Sequence, residues 1–188
     1  MSSHHIVKEK QEPALYIQDL TQFDLELLGQ LLEWSPSVFV AVDAYEQVNS
    51  LGIKVDFIVS LKKLEPTQES TAVINLDPSD IGAFLKHLIA LDYPAVNIIG
   101  LNKKFDDVYP YLNQINIVLF TPTQKTFAIK PGFKVWKAAG TILEIEILKY
   151  HETSNLRPTD NGQLEVIKDG FIEVNFSGDY LFLSENLE

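Results

Sequence analysis

The residues that could do chemistry in this chain are carboxylates placed where buried strands end. Val38, Phe39, Val40, Ala41 and Val42 form an apolar run that stops at Asp43, the pattern of a strand covered on both faces of a parallel sheet and carrying an acid to the sheet edge. Asp77-Pro78-Ser79-Asp80 follows a second β-rich run, and Ala95–Ile99 stops at Gly100, with Asp106-Asp107 a short way beyond. Ligands of open α/β sheets bind outside the carboxyl ends of the strands, so Asp43 and the residues after Val59 are where a site is sought. Other chemistries are not written here: the chain has no serine nucleophile elbow, His-Glu-x-x-His, P-loop or dinucleotide glycine fingerprint. It has no cysteine, which excludes disulfides and thiolate zinc sites. His87 has no partner at ligand spacing and reads as a partly exposed helix residue.

The elements that must position these acids alternate. Ala14–Ile17 predicts a strand, with Thr21 as N-cap of a helix carrying Phe23, Leu27, Leu28, Leu31 and Trp34. After Asp43, residues 44–51 predict a short helix stopped by Gly52, and Val55–Val59 the next strand. Thr71–Leu76 is strand-like. On local grounds Asp77 caps the next helix, Pro78 takes its first position and Asp80 meets its positive end, a reading that needs no catalytic role for either acid. Ile81, Phe84, Leu85, Leu88, Ile89 and Leu91 then make a stripe that packs on a sheet. Val108–Asn113 predicts a further short helix, and Ile115–Phe120 closes the alternating half.

From about Thr126 the character changes to short β-rich runs: Phe127–Lys130, Phe133–Lys137, Thr141–Leu148, Gln163–Ile167, Phe171–Phe176 and Tyr180–Leu183. Asp160-Asn161-Gly162, Asp169-Gly170 and Ser177-Gly178-Asp179 read as hairpin signals. The expected fold class is α/β: a parallel-sheet, Rossmann-like N-terminal domain over residues 13–124, then a small all-β, sandwich- or barrel-like C-terminal domain over residues 125–188. The polar residues 1–12 are expected to be mobile. At 188 residues the chain can bury a proper core. Its net charge of -11 disfavours nucleic acid and anionic lipid, and Lys62-Lys63 and Lys103-Lys104 are too short to form a basic patch. No signal core or membrane-length apolar run is written, so no membrane partner and a cytoplasmic location are expected.

The central stretch resembles one in the thiamine pyrophosphokinases, whose pattern runs strand, Asp-Gly, short helix, Leu-Gly-Ile-x-Pro-Asp, strand, Gly-Asp-x-Asp-Ser. Asp43, Leu51-Gly52-Ile53-Lys54 and Asp56 keep it, with Val55 in place of the proline. Asp77-Pro78-Ser79-Asp80 is similar to the family's Asp-x-Thr-Asp. Gly100 and Asp106 keep positions of its Gly-x-x-Gly-Gly-Arg-x-Asp-His, with Lys104 for arginine and Asp107 for histidine. The resemblance implies ATP and Mg2+ as cofactors, Asp43, Asp80 and Asp106 as catalytic acids, Asp77 and Asp80 toward the metal, and Gly100 and Lys104 toward the nucleotide. It also implies a homodimer whose thiamine site lies near a Thr-Ser-Gly-Leu-Lys-like stretch and a later Ser-Asn. Here Ser154, Asn155 and Asn175 stand at those places, although Ser154-Asn155 reads equally as a turn. Trp136 could stack on a ring or pack in the core.

The departures bear on activity. Where Gly-Asp-x-Asp-Ser would lie, this chain has Ser60-Leu61-Lys62-Lys63-Leu64, so one acid position holds leucine and the other lysine. Where the family's first strand leads into a glycine-bearing loop near the nucleotide, Gln18-Asp19 fills the space. Pyrophosphoryl transfer needs magnesium held by hard oxygen ligands and a surround that stabilises developing charge. The first reading is a thiamine pyrophosphokinase-like protein with impaired catalysis, kept as a homodimeric binding or regulatory protein for thiamine or a nucleotide-like small molecule. The alternatives are an active ATP:thiamine pyrophosphokinase working through Asp43, Asp77, Asp80 and Asp106, and a structural or interaction protein with a filled cleft.

Overall fold

The computed structural model describes residues 12–33, 37–66, 68–103, 105–145 and 151–187. The expected mobile N-terminus, residues 1–12, therefore lies outside it but for its last residue, as do Trp34, Lys104 and the end of the strand run expected over 141–148. The chain divides into two compact units, Met1–Pro122 and Thr123–Glu188, and is mixed α/β.

The first unit holds β1 (Ala14–Ile17), α1 (Leu25–Leu32), β2 (Val38–Ala41), α2 (Tyr45–Ser50), β3 (Phe57–Val59), β4 (Ala72–Ile74), α3 (Ile81–Ala90), β5 (Ala95–Ile99), α4 (Phe105–Val108) and β6 (Asn116–Phe120). The strands pair in the order β4-β3-β2-β1-β5-β6, every pair parallel. β1 and β2 are buried along their whole length, which is why both read as unbroken apolar runs. The ring of Phe84, on α3, stacks on Tyr16 of β1 at 4.0 Å and meets Phe39 of β2 edge-on at 5.3 Å. Those contacts bind the apolar stripe of α3 to the central strands.

Local chemistry shifts several predicted boundaries. The cap of α1 is Asp24, whose Oδ1 accepts from the Glu26 and Leu27 amides at 2.7 and 2.9 Å. Thr21 instead donates its amide to Asp19 Oδ1 at 2.6 Å, so a turn with Gln22 at φ 60° precedes the helix and Phe23 is buried outside it. At α3 the cap is Asp80, accepting from the Ala83 amide at 2.8 Å. Asp77 makes the turn before it, accepting from the Ser79 amide at 2.8 Å and the Ser79 hydroxyl at 2.7 Å. Pro78 therefore precedes the helix. The helix expected over 108–113 begins earlier, as α4, and passes into a 3-10 turn at Tyr109–Tyr111 containing Pro110, whose ring permits no further α-helical amide bond.

The second unit holds β7 (Gln124–Ile129), β8 (Phe133–Lys137), β9 (Ile142–Ile145), β10 (His151–Ser154), β11 (Leu156–Pro158), β12 (Leu164–Val166), β13 (Gly170–Phe176) and β14 (Leu181–Asn186). β11-β12-β9-β14-β7 pair antiparallel in that order, and β10-β13-β8 form a separate antiparallel sheet. Ile129, Leu143, Val166 and Leu183 from the first set share one core with Ile172, Val174 and Phe176 of β13. A Lys137–Glu185 ion pair at 2.7 Å ties β8 to β14, and the buried Thr126 and Ser184 hydroxyls satisfy each other at 2.8 Å.

Only one of the hairpin signals makes a hairpin. Residues 160–162 join the paired strands β11 and β12, with Gly162 at φ 76°. Asp169-Gly170 and Ser177-Gly178-Asp179 carry the chain from one sheet to the other and back. β10 and β11 were not expected. Pro158 argues against a strand, but β11 pairs with β12 alone, and an edge strand tolerates proline. Trp136 is not a core residue: it is 55 % exposed, opposite the exposed Phe171.

Candidate active site

The order β4-β3-β2-β1-β5-β6 places the reversal of the first unit's sheet between β1 and β5, where open α/β sheets bind ligands. A cleft of about 310 Å³ lies there. Gln18 and Asp19 after β1, Ala41 and Asp43 at the end of β2, and Gly100, Leu101 and Asn102 after β5 line it, joined by Asp77, Pro78 and Ser79 after β4. The wall is a set of strand ends, as the apolar runs and their terminal acids required.

Asp43 sits exposed in a 3-10 turn, Val42–Ala44, because the sheet pairing of β2 ends at Ala41 opposite Val59. The loop carrying Asp77 is anchored from below. The Pro78 carbonyl accepts from the Tyr16 hydroxyl at 3.0 Å and from Gln18 Nε2 at 2.9 Å, so both of its lone pairs have donors. Burial raises the pKa of the Tyr16 hydroxyl strongly; the Gln18 side chain opposes that rise and the negative charge of Asp77 adds to it. Tyr16 is thus a neutral donor holding the loop, with its proton withheld from acid–base exchange at neutral pH.

The structure brings Asp43, Asp77 and Gly100 together around one cleft. Asp80 is exposed and has Oδ1 turned to its own helix, and Asp106 is exposed in the first turn of α4; neither lines the cleft. Lys104 lies outside the described residues. Leu61 and Lys63 are exposed after β3, Leu61 at 64 %, and are not among the lining residues. Ser60 is buried and closes that strand end, its hydroxyl accepting from the Lys62 amide at 2.9 Å. Asp56, which matched the family pattern, holds strand ends together instead. Its Oδ2 accepts from the Val38 amide at 2.9 Å and its Oδ1 pairs with Lys54 at 2.7 Å.

In the second unit Ser154 ends β10, exposed, and Asn155 follows at φ 59°. The Asn155 side chain donates to the Lys168 carbonyl at 2.8 Å and accepts from the Lys168 amide at 3.2 Å, which is the work of a turn residue. Asn175 faces outward on β13, opposite Glu152. Lining residues that sequence reasoning gave no site role include Ala41, Pro78, Ser79, Leu101 and Asn102, and Tyr16 lies beneath them. Applying the strand-end rule to β5 as well as β2 finds Leu101 and Asn102. The part played by Tyr16 depends on a bond across 62 positions.

The chemistry of the donor set can be tested against a metal. Among the described residues, no group of three or more His, Cys, Asp or Glu side chains is placed to hold an ion, and no lysine or arginine lines the cleft. The residues do not fit a magnesium ion held by protein ligands alone. No helix among the described residues is long and apolar enough to cross a membrane.

An open parallel sheet with a cleft at its reversal point, in a chain that continues into antiparallel strands, defines the class. No family model matches the sequence, and no curated protein matches it. Solved structures do. Thiamine pyrophosphokinase from Bacillus subtilis superposes with a TM-score of 0.65 at 12% identity, covering 93% of this chain and 99% of that one. The yeast thiamin pyrophosphokinase gives 0.63 at 11% identity over 96% and 88%, and the Candida albicans enzyme 0.62 at 12% identity over 94% and 89%. The chain has the fold of these enzymes.

Proposed function

We propose that the chain is a thiamine pyrophosphokinase-like protein with impaired catalysis, working in the cytoplasm as a homodimeric binding or regulatory protein for thiamine or a nucleotide-like small molecule. One observation carries this reading: the cleft at the sheet reversal is kept, while the end of β3 presents Leu61, Lys62 and Lys63 to solvent where the resembling family places acids. A metal-bound triphosphate reaching from the cleft to that strand end finds neither ligand-type carboxylate and meets added positive charge. In this reading Asp43, Asp77 and Gly100 contact the ligand, while Asp80 holds α3. Residues 13–124 form the catalytic-like part and residues 125–188, with Ser154, Asn155 and Asn175, the thiamine-binding-like part.

A second reading, a working ATP:thiamine pyrophosphokinase, is favoured by Asp43 and Asp77 lining the same cleft, because magnesium bound with phosphates needs only one or two carboxylates. Calorimetry with thiamine and with ATP, with and without magnesium, alongside an assay for thiamine diphosphate, separates the two. Ligand binding without product formation is expected, and the double substitution Leu61→Asp, Lys63→Asp is expected to make nucleotide affinity magnesium-dependent. Turnover of about 1 per second or more by the native chain would put the second reading first. Sedimentation of the same sample reads the dimer, and a monomer at micromolar concentration would remove it.

A further inference from the structure

One side chain of the protein itself crosses the crevice between the ends of β1 and β5. Gln18 leaves β1 with its amide on the Ile99 carbonyl at 2.9 Å, and its Nε2 donates to the Pro78 carbonyl at 2.9 Å. Its Oε1 lies 3.2 Å from where a Cβ on Gly100 would stand. The side chain that Gly100 lacks and the carbonyl that Tyr16 fixes together make a seat for this amide. A phosphate group at such a switch point needs the opposite: close approach to a glycine backbone and uncovered N–H groups. Here the approach that Gly100 permits is taken by Gln18.

We propose that Gln18 is a specificity-determining residue of the cleft. Seated between Gly100 and Pro78, it bars a phosphate chain from the β1–β5 crevice. The cleft then takes compact ligands that engage Asp43, Asp77 and Asn102, and discriminates against the same ligand carrying a polyphosphate tail. This rests on the reading of the cleft as the ligand site.

The test is calorimetric titration of ATP and AMP, with magnesium, into the native chain, Gln18→Ala and Gln18→Met. The ratio of ATP to AMP affinity is expected to rise at least tenfold in Gln18→Ala, while Gln18→Met, which has the same reach, keeps the native ratio. A purely structural role would move both ligands together; nucleotides that bind with an unchanged ratio therefore overturn the proposal and leave the cleft reading standing. If none of the three proteins binds either nucleotide, the proposal fails, and titration of thiamine into the native chain then decides whether the cleft reading stands. A second measurement needs no ligand. Gly100→Ala should lower the Tm of the native chain but not that of Gln18→Ala, where the crowding atom is gone. Equal losses in both backgrounds overturn the seat.

Discussion

Replacing Tyr16 by phenylalanine removes one hydroxyl beneath the candidate cleft, and the outcome should depend on pH. The Tyr16 side chain is fully buried and its hydroxyl donates to the Pro78 carbonyl at 3.0 Å. That carbonyl retains Gln18 Nε2 at 2.9 Å, so the variant leaves no orphaned acceptor, and the expected cost at pH 7 is about 1 kcal/mol, that of one net hydrogen bond. Burial raises the folded-state pKa of Tyr16 above its ordinary value of 10.0. The native stability contributed by this group is therefore fully present below about pH 10 and declines as the pH rises toward the folded value, because the unfolded chain gives up the proton first. The slope approaches about 1.4 kcal/mol per pH unit. A native advantage of about 1 kcal/mol is then cancelled at roughly pH 10.7, above which the phenylalanine variant becomes the more stable protein. Urea denaturation of both proteins at intervals from pH 7 to pH 11.5 measures this, and the other tyrosines, common to both, cancel in the difference. A stability difference that stays constant across that range would refute the argument, since it would mean that Tyr16 ionises as readily folded as unfolded.

Two further substitutions test the local readings. Asp80→Ala should destabilise the chain by about 1 kcal/mol through loss of the cap on the Ala83 amide, with Asp80→Asn retaining most of it; thermal denaturation in which Ala and Asn behave alike would contradict the cap. Asn155→Ala should cost more than Asn155→Gly, because both lose the bonds to Lys168 but only alanine is strained at φ 59°; equal unfolding midpoints for the two variants would show that backbone conformation is not what selects asparagine there.

Which segments are buried strands, and where they end, was legible in the sequence by itself. Val38–Ala41 is apolar on both faces and Ala95–Ile99 is apolar but for Asn97, and a strand covered on both sides reads that way, so Asp43 and Gly100 could be placed at a sheet edge before any topology was known. The change to short turn-bounded runs after Thr126 likewise marked the second unit, because period-2 alternation and turn residues are local signals. The exact helix starts were less legible. Asp77, Asp80, Thr21 and Asp24 are all competent capping residues, and the choice fell to those whose backbone could present an oxygen to the next turn. The pairing of strands stayed beyond local reading altogether. β1 lies beside β5 across some eighty positions, and that non-local choice creates the reversal point, brings Gln18 against Gly100 and puts Asp77 in the same wall as Asp43. It also turned Asp169-Gly170 and Ser177–Asp179 into crossings between sheets, since a turn residue permits a change of direction but the partner awaiting the chain decides where it goes. Residue chemistry is carried by the sequence, whereas the company each residue keeps depends on contacts between segments far apart in the chain, and only the folded structure supplies those.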